Sequence, residues 1–269
     1  MSNKAKKYLL FAILGAILLI YLVYPNFLNP VLNPLLKLPR LLTLLLVSLV
    51  ITIVMTLVYK WTTDQAMMKA LKEDQKKYQK QIKEHKNDPK KMMELNKKAM
   101  EANMQYFKSS MKSTLITFIP LLIIFTWMSS NLAYNAILPE QEFNVTASVT
   151  KGFGELTLAV PSSVILLSNA TQPIADRVVW TMKAEKGDHL LNLTYGNKTY
   201  SFNVLVDDLK YSIPVKKLDK SLTISVSYGK WKAFGEKFNL FGWYPGWLFT
   251  YIVSSLIFST ILRKILKVY

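Results

Sequence analysis

Four stretches of the chain contain no Asp, Glu, Lys or Arg and are mostly apolar: Tyr8–Tyr24, Leu41–Tyr59, Ser113–Leu138 and Phe241–Leu262. A bilayer core about 30 Å thick takes roughly 20 helical residues, and about 17 at the least. The last three stretches meet that length, so transmembrane helices are expected over residues 41–59, 113–138 and 241–262. The first is marginal. Residues 1–24 share with a secretory signal a lysine cluster, Lys4, Lys6 and Lys7, ahead of an apolar run. That run ends in Tyr21-Leu22-Val23-Tyr24-Pro25, without the small residues of a cleavage site, so an uncleaved N-terminal anchor helix is expected, followed by a linker over 25–40.

Between the second and third stretches the pattern becomes helical and charged. From Asp64 to Lys86 the chain is rich in Lys, Gln, Glu, Met and Leu, and Asn87-Asp88-Pro89 interrupts it. Asp88 suits an N-cap, and Pro89 suits the first helical position, where its missing N–H costs nothing. Met68, Leu71, Gln75, Tyr78, Ile82 and His85 recur at steps of three and four. On the return arm Met93, Met100 and Phe107 are seven apart, with Met104 and Met111 on the same side. This spacing predicts the seam of an antiparallel helical hairpin over 60–112, a short coiled coil.

Residues 139–240 alternate as strands do. Seven are predicted: Phe143–Val149, Glu155–Val160, Val164–Leu167, Arg177–Lys183, Leu190–Tyr195, Lys198–Val206 and Ser221–Tyr228. Gly196-Asn197 between the fifth and sixth is a two-residue hairpin signal. Several short strands within about 100 residues suggest a β-sandwich-like domain. The expected fold is thus an α-helical membrane protein with three core spans, an N-terminal anchor helix, a cytosolic hairpin, an inserted extracytoplasmic β domain, and a tail over 263–269.

Charge sets the expected orientation. Residues 60–112 hold 14 lysines against 7 acidic residues, a net of +7, whereas 139–240 hold 12 basic and 10 acidic, a net of +2. Basic flanks of spans stay in the cytosol, while long domains cross largely regardless of charge. The hairpin and both termini are therefore expected inside a cell membrane and the β domain outside. Four Asn-x-Thr sequons, at Asn144, Asn169, Asn192 and Asn197, all fall in the segment expected outside, as candidates for glycosylation. The formal net charge of +17 is accounted for by these flanks and by anionic lipid headgroups, and no feature points to specific DNA.

Candidate chemistry is sparse. Cysteine is absent and only His85 and His189 carry imidazole, which removes disulfides and thiolate metal sites. No nucleophile–base pair, metal-ligand cluster or phosphate loop stands out, so neither an enzyme nor a cofactor is expected. Hydroxyls do recur within the spans. Thr52 and Thr56 share a helix face, as do Ser255 and Ser259, and Thr117 lies near the same end of the third stretch. Such residues usually serve helix packing. Three helices with polar stripes would also line a partly hydrated groove. Seven of the 11 methionines lie in residues 60–112. Seam positions absorb most of them, leaving Met67 and Met92 as candidates for an adaptable client-contact surface.

The order of parts resembles the archaeal YidC-like membrane proteins of the YidC/Oxa/Alb insertase superfamily, to which the third subunit of the ER membrane protein complex is related. The likeness is carried by Asn87-Asp88-Pro89-Lys90-Lys91, by Lys108–Pro120, by Phe241–Leu248 with Ser254-Ser255, and by Leu262–Lys264, over about residues 41–138 and 240–267. The β domain is longer than the family's usual segment there, and the positive charge that bacterial members carry within their groove has no counterpart inside these apolar stretches. The resemblance implies a membrane protein insertase or chaperone working through a polar groove open to the cytosol. Nascent membrane proteins, the ribosome and further membrane subunits would be its partners. The alternatives are a cell-surface receptor or adhesion protein acting through a glycosylated β domain, and a channel or scaffold subunit.

Overall fold

The computed structural model describes residues 15–16, 19–150, 152–239 and 241–268. The expected anchor, Tyr8–Tyr24, lies mostly outside the described residues. Four longer helices follow: α1 (Arg40–Thr62), α2 (Gln65–Glu84), α3 (Pro89–Leu132) and α4 (Trp247–Ile265). Among the described residues three segments are long and apolar enough to cross a membrane: α1, the Ser113–Leu132 part of α3, and α4. The apolar stretches are not coextensive with these helices. Helix α3 stops six residues before Leu138, and α4 begins six residues after Phe241. Gly242 adopts φ 88°, and Pro245 and Gly246 follow it, so apolar composition there does not make a helix. The linker over 25–40 is itself folded into short turns, an α-helical one over Asn29–Leu32 and a 3-10 helix over Asn33–Lys37.

The chain divides into two compact units, one built from Leu41–Thr126 and Phe249–Tyr269 together with the N-terminal 33 residues, the other from Pro34–Arg40 and Trp127–Leu248. In the first, α1 presents a buried face that includes Leu44, Val47, Ser48, Ile51 and Thr52. Small hydroxyl residues let spans approach closely, and here they also bond across: Ser254 Oγ of α4 donates to Ser48 Oγ at 3.1 Å. Phe125 of α3 meets Tyr251 of α4 edge-to-face, with ring centroids 4.8 Å apart.

Caps set the starts of α2 and α3. Asp64 Oδ1 accepts from the N–H groups of Ala66 and Met67, and Asp88 Oδ1 from that of Lys91, ahead of Pro89. On α2, Met68 and Leu71 are buried and Gln75, Tyr78, Ile82 and His85 half-buried, as the spacing predicts. The return arm differs. Its covered positions are Met92, Leu95, Ala99, Ala102 and Tyr106, whereas Met93, Met100, Met104, Phe107 and Met111 are exposed. Reading methionine as the seam placed the stripe on the wrong face. The small side chains Ala99 and Ala102 face the covered side, and heptad spacing of large residues does not by itself say which stripe is buried.

In the second unit nine strands form two antiparallel sheets, in the orders β3-β5-β1-β9-β8 and β4-β2-β6-β7. They are β1 (Phe143–Val149), β2 (Glu155–Ala159), β3 (Val164–Leu166), β4 (Thr171–Pro173), β5 (Arg177–Ala184), β6 (Gly187–Tyr195), β7 (Lys198–Val206), β8 (Val215–Lys217) and β9 (Leu222–Val226). The seven predicted strands are present with ends moved by up to three residues. The two missed ones, β4 and β8, are three-residue edge strands, too short for alternation to show. Inward residues of both sheets make one hydrophobic cluster around Trp180, Phe202, Met182, Leu158 and Leu193. Trp180 Nε1 donates to the Ala170 carbonyl at 3.0 Å. His189 is buried and within bonding distance of Ser163 Oγ and the Glu185 carbonyl, a packing role.

The end of α3 is tied into this unit. The Tyr211 hydroxyl donates to the Ser129 carbonyl at 2.5 Å and accepts from the Ala133 N–H at 2.8 Å. It thereby satisfies groups that a helix C-terminus leaves open. Burial pushes its pKa up to about 12, against two backbone hydrogen bonds that pull it down.

Candidate functional site

The five hydroxyl residues picked out by spacing converge. Thr52 and Thr56 from α1, Thr117 from α3, and Ser255 and Ser259 from α4 all line one cavity of about 280 Å³ within the helical unit. Thr52 and Thr56 are buried, the other three half-buried. Four of the hydroxyls have backbone partners on their own helices. Thr52 Oγ1 donates to the Ser48 carbonyl at 2.6 Å, Thr56 to Thr52 at 2.7 Å, Thr117 to Ser113 at 3.1 Å, and Ser255 to Ile252 at 3.0 Å. Such back-bonds satisfy the hydroxyl proton without using both oxygen lone pairs. Each oxygen retains acceptor capacity, so the wall can serve water or a passing polar group.

The same cavity is lined by residues that the hydroxyl pattern did not single out: Tyr59, Ser113, Thr114, Tyr251 and Arg263. Arg263 matters most. In the sequence it is merely the first cation after an apolar stretch. In the structure its guanidinium lies over the Tyr59 ring, 4.8 Å from the centroid, in cation–π contact. A long side chain can reach back along the helix by this route, so among the described residues of the lining there is one cationic group and no carboxylate. The expectation that the groove lacks a positive charge holds for the apolar stretches themselves, which end at Leu262, but not for the cavity lining, which includes Arg263.

The remaining candidates are dispersed. Met67 on α2 is exposed and Met92 on α3 half-buried. Asn144 lies on β1, where its Oδ1 accepts from Thr181 Oγ1, and Asn192 lies on β6, where its Oδ1 accepts from Ser201 Oγ. Asn169 sits in the β3–β4 connection and Asn197 in the β6–β7 turn, both exposed.

A half-open cavity with hydroxyls in its lining, between three segments long and apolar enough to cross a membrane, adjoins a pair of lysine- and methionine-rich helices, and this combination defines an integral membrane protein. The chain belongs to the family of integral membrane proteins described as EMC3/TMCO1-like, whose model matches residues 27–166, just over half of it. That family is part of the YidC/Oxa1/Alb3 superfamily and is linked in general terms to membrane protein insertion. The match takes in α1, α2, α3 and the first strands. Helix α4 and the similarity expected at 240–267 lie beyond it. No curated protein and no solved structure matches the chain.

Proposed function

We propose that the protein is a non-enzymatic insertase or chaperone that lets the polar flank of a client segment cross the bilayer through the Thr/Ser-lined cavity. The observation that carries this reading is the convergence of hydroxyls from three helices with a single guanidinium. A charged side chain at the bilayer centre costs at least about 2.5–3.5 kcal/mol. A wall of acceptor oxygens and water lowers that cost without any cofactor. The cationic rim attracts acidic flanks and opposes basic ones. In this reading α2 and the first part of α3 form a cytosolic antiparallel hairpin. Its exposed Met93, Met100, Met104 and Met111 add to Met67 a flexible apolar face for client segments, with Met92 partly withdrawn from it. Nascent chains, the ribosome and further membrane subunits are the proposed partners. The strand-rich unit is read as a glycosylated extracytoplasmic β-sandwich.

A photocrosslinking residue placed at Thr117 should capture a client segment stalled during insertion, and one at the exposed Leu122, which does not line the cavity, should not. Equal capture at both positions would reject the cavity as the route. Orientation has its own check: protease added to sealed cells should remove an epitope at Asn197 and spare one at Pro89. Cleavage at Pro89 in sealed cells would invert the topology.

A further inference from the structure

The connection from Gly229 to Gly246 is rich in aromatics that the β domain does not bury. Phe234, Phe238 and Trp243 are 51 %, 46 % and 47 % exposed, and Phe241 is fully exposed. The backbone is shaped to present them. Phe241 takes φ 53°, a left-handed conformation costly for a residue with a Cβ, between turns that use Gly235 at φ 72° and Gly242 at φ 88°. Phe234 and Phe238 stack on each other edge-to-face with centroids 5.2 Å apart, which joins these two rings into one apolar surface.

Both ends of this connection are fixed beside candidate spans. At its base the Trp231 N–H donates to the Ala133 carbonyl at 3.0 Å, and the Asn135 N–H donates to the Gly229 carbonyl at 2.7 Å. Ala133 directly follows the last residue of α3. At its other end the Ala233 N–H donates to the Pro245 carbonyl at 2.9 Å, two residues before α4 begins. The loop is therefore held beside the end of α3 and the start of α4, two helices apolar enough to cross a membrane. Its charge also suits a membrane. Lys232 pairs with Glu236 at 2.5 Å, and its ammonium lies 3.8 Å from the centre of the Tyr244 ring, while Lys230 and Lys237 are exposed and leave the loop a net positive charge.

We propose that the Gly229–Gly246 loop is a lipid-binding wedge that inserts Phe234, Phe238 and Phe241 into the headgroup–acyl boundary, with Lys230 and Lys237 against anionic headgroups. The Phe rings gain by burying apolar area below the headgroups, the amphipathic rings of Trp243 and Tyr244 suit the boundary itself, and each nearby lysine adds attraction to anionic headgroups. The contrast within the same unit is Phe153. It is also fully exposed, on the β1–β2 loop, at the opposite end of β1 from Phe143, where the chain arrives from α3. It is not continuous with any span.

The chain has no cysteine, so single-cysteine variants can be labelled without altering the background. Full-length Phe241→Cys and Phe153→Cys, each carrying an environment-sensitive nitrobenzoxadiazole label, would be placed in nanodiscs of phosphatidylcholine with or without phosphatidylglycerol. Dithionite should bleach the label at 241 at least tenfold more slowly than the label at 153. Spin labels attached to lipid near the headgroup should quench only the former, and more strongly with phosphatidylglycerol present. Phe238→Cys gives a second reading should the left-handed position 241 disturb the turn. Equal bleaching at 241, 238 and 153 would overturn the proposal. So would protection at 241 and 238 without lipid quenching, which would mean cover by protein.

Discussion

Replacing Thr52, Thr56 and Thr117 with valine and Ser255 and Ser259 with alanine in one protein should reduce insertion of a client with an acidic flank by about tenfold or more. Insertion of a client with an apolar flank should change little. The substitutions preserve shape closely while removing every hydroxyl that spacing placed in the cavity. Hydrogen bonds between polar side chains within membranes are worth about 0.6 kcal/mol on average, so loss of five at that average comes to about 3 kcal/mol. A little under half of that, about 1.4 kcal/mol, is a factor of ten. Folding should be largely spared, because four of the hydroxyls bond to carbonyls of their own helices, and those carbonyls keep their main-chain donors. The measurement is insertion of two clients that differ only in flanking charge, at matched levels of protein. Equal loss for both, or loss for neither, would leave these residues as packing groups and sink the groove.

Trp180→Ala should cost the β domain about 3–5 kcal/mol, a large part of the 5–15 kcal/mol that stabilises an ordinary domain. Trp180 is wholly buried on β5 in the cluster shared by both sheets, and its ring N–H would leave the Ala170 carbonyl without that donor. Phe153→Ala removes an aromatic ring of comparable apolar area from a fully exposed site and should change stability by no more than about 0.5 kcal/mol. Protease resistance of the β domain in isolated membranes, followed with temperature, separates the two. Equal midpoints would mean that the assigned core does not hold the domain. The same variant tests the rival reading of function. If insertion persists while the β domain of Trp180→Ala is unfolded, the strand-rich unit is not the working part. If insertion is lost although the helices still integrate, the receptor-like alternative or an organising role for the β domain gains support.

Much of this architecture is legible from residues alone because its determinants are local or periodic. Uncharged stretches of sufficient length at Leu41–Tyr59, Ser113–Leu138 and Phe241–Leu262 mark three candidate spans, since a bilayer tests length and polarity before anything else. Alternation marks β1, β5 and β7, and the caps at Asp64 and Asp88 work within three residues of chain. The Thr/Ser stripes could be assigned to helix faces because i,i+4 spacing is a property of the helix itself.

What lay beyond the sequence depended on partners distant in the chain. Seam spacing fitted two stripes on the first part of α3, and only packing showed that Leu95 and Ala102 are covered while Met93 and Met100 face outward. The edge strands β4 and β8 have no pattern of their own and exist because β2 and β9 offer them hydrogen bonds. The hydroxyls of three helices became one cavity only when those helices came together. Arg263, a flank by composition, became part of that cavity because its side chain is long enough to reach the Tyr59 ring from the end of α4. Sequence by itself determined which segments are apolar enough to leave water and which faces of them are polar. Tertiary structure decided which of those faces meet, because Thr52 and Ser259 line one cavity through packing across more than 200 residues of chain, which no local periodicity encodes.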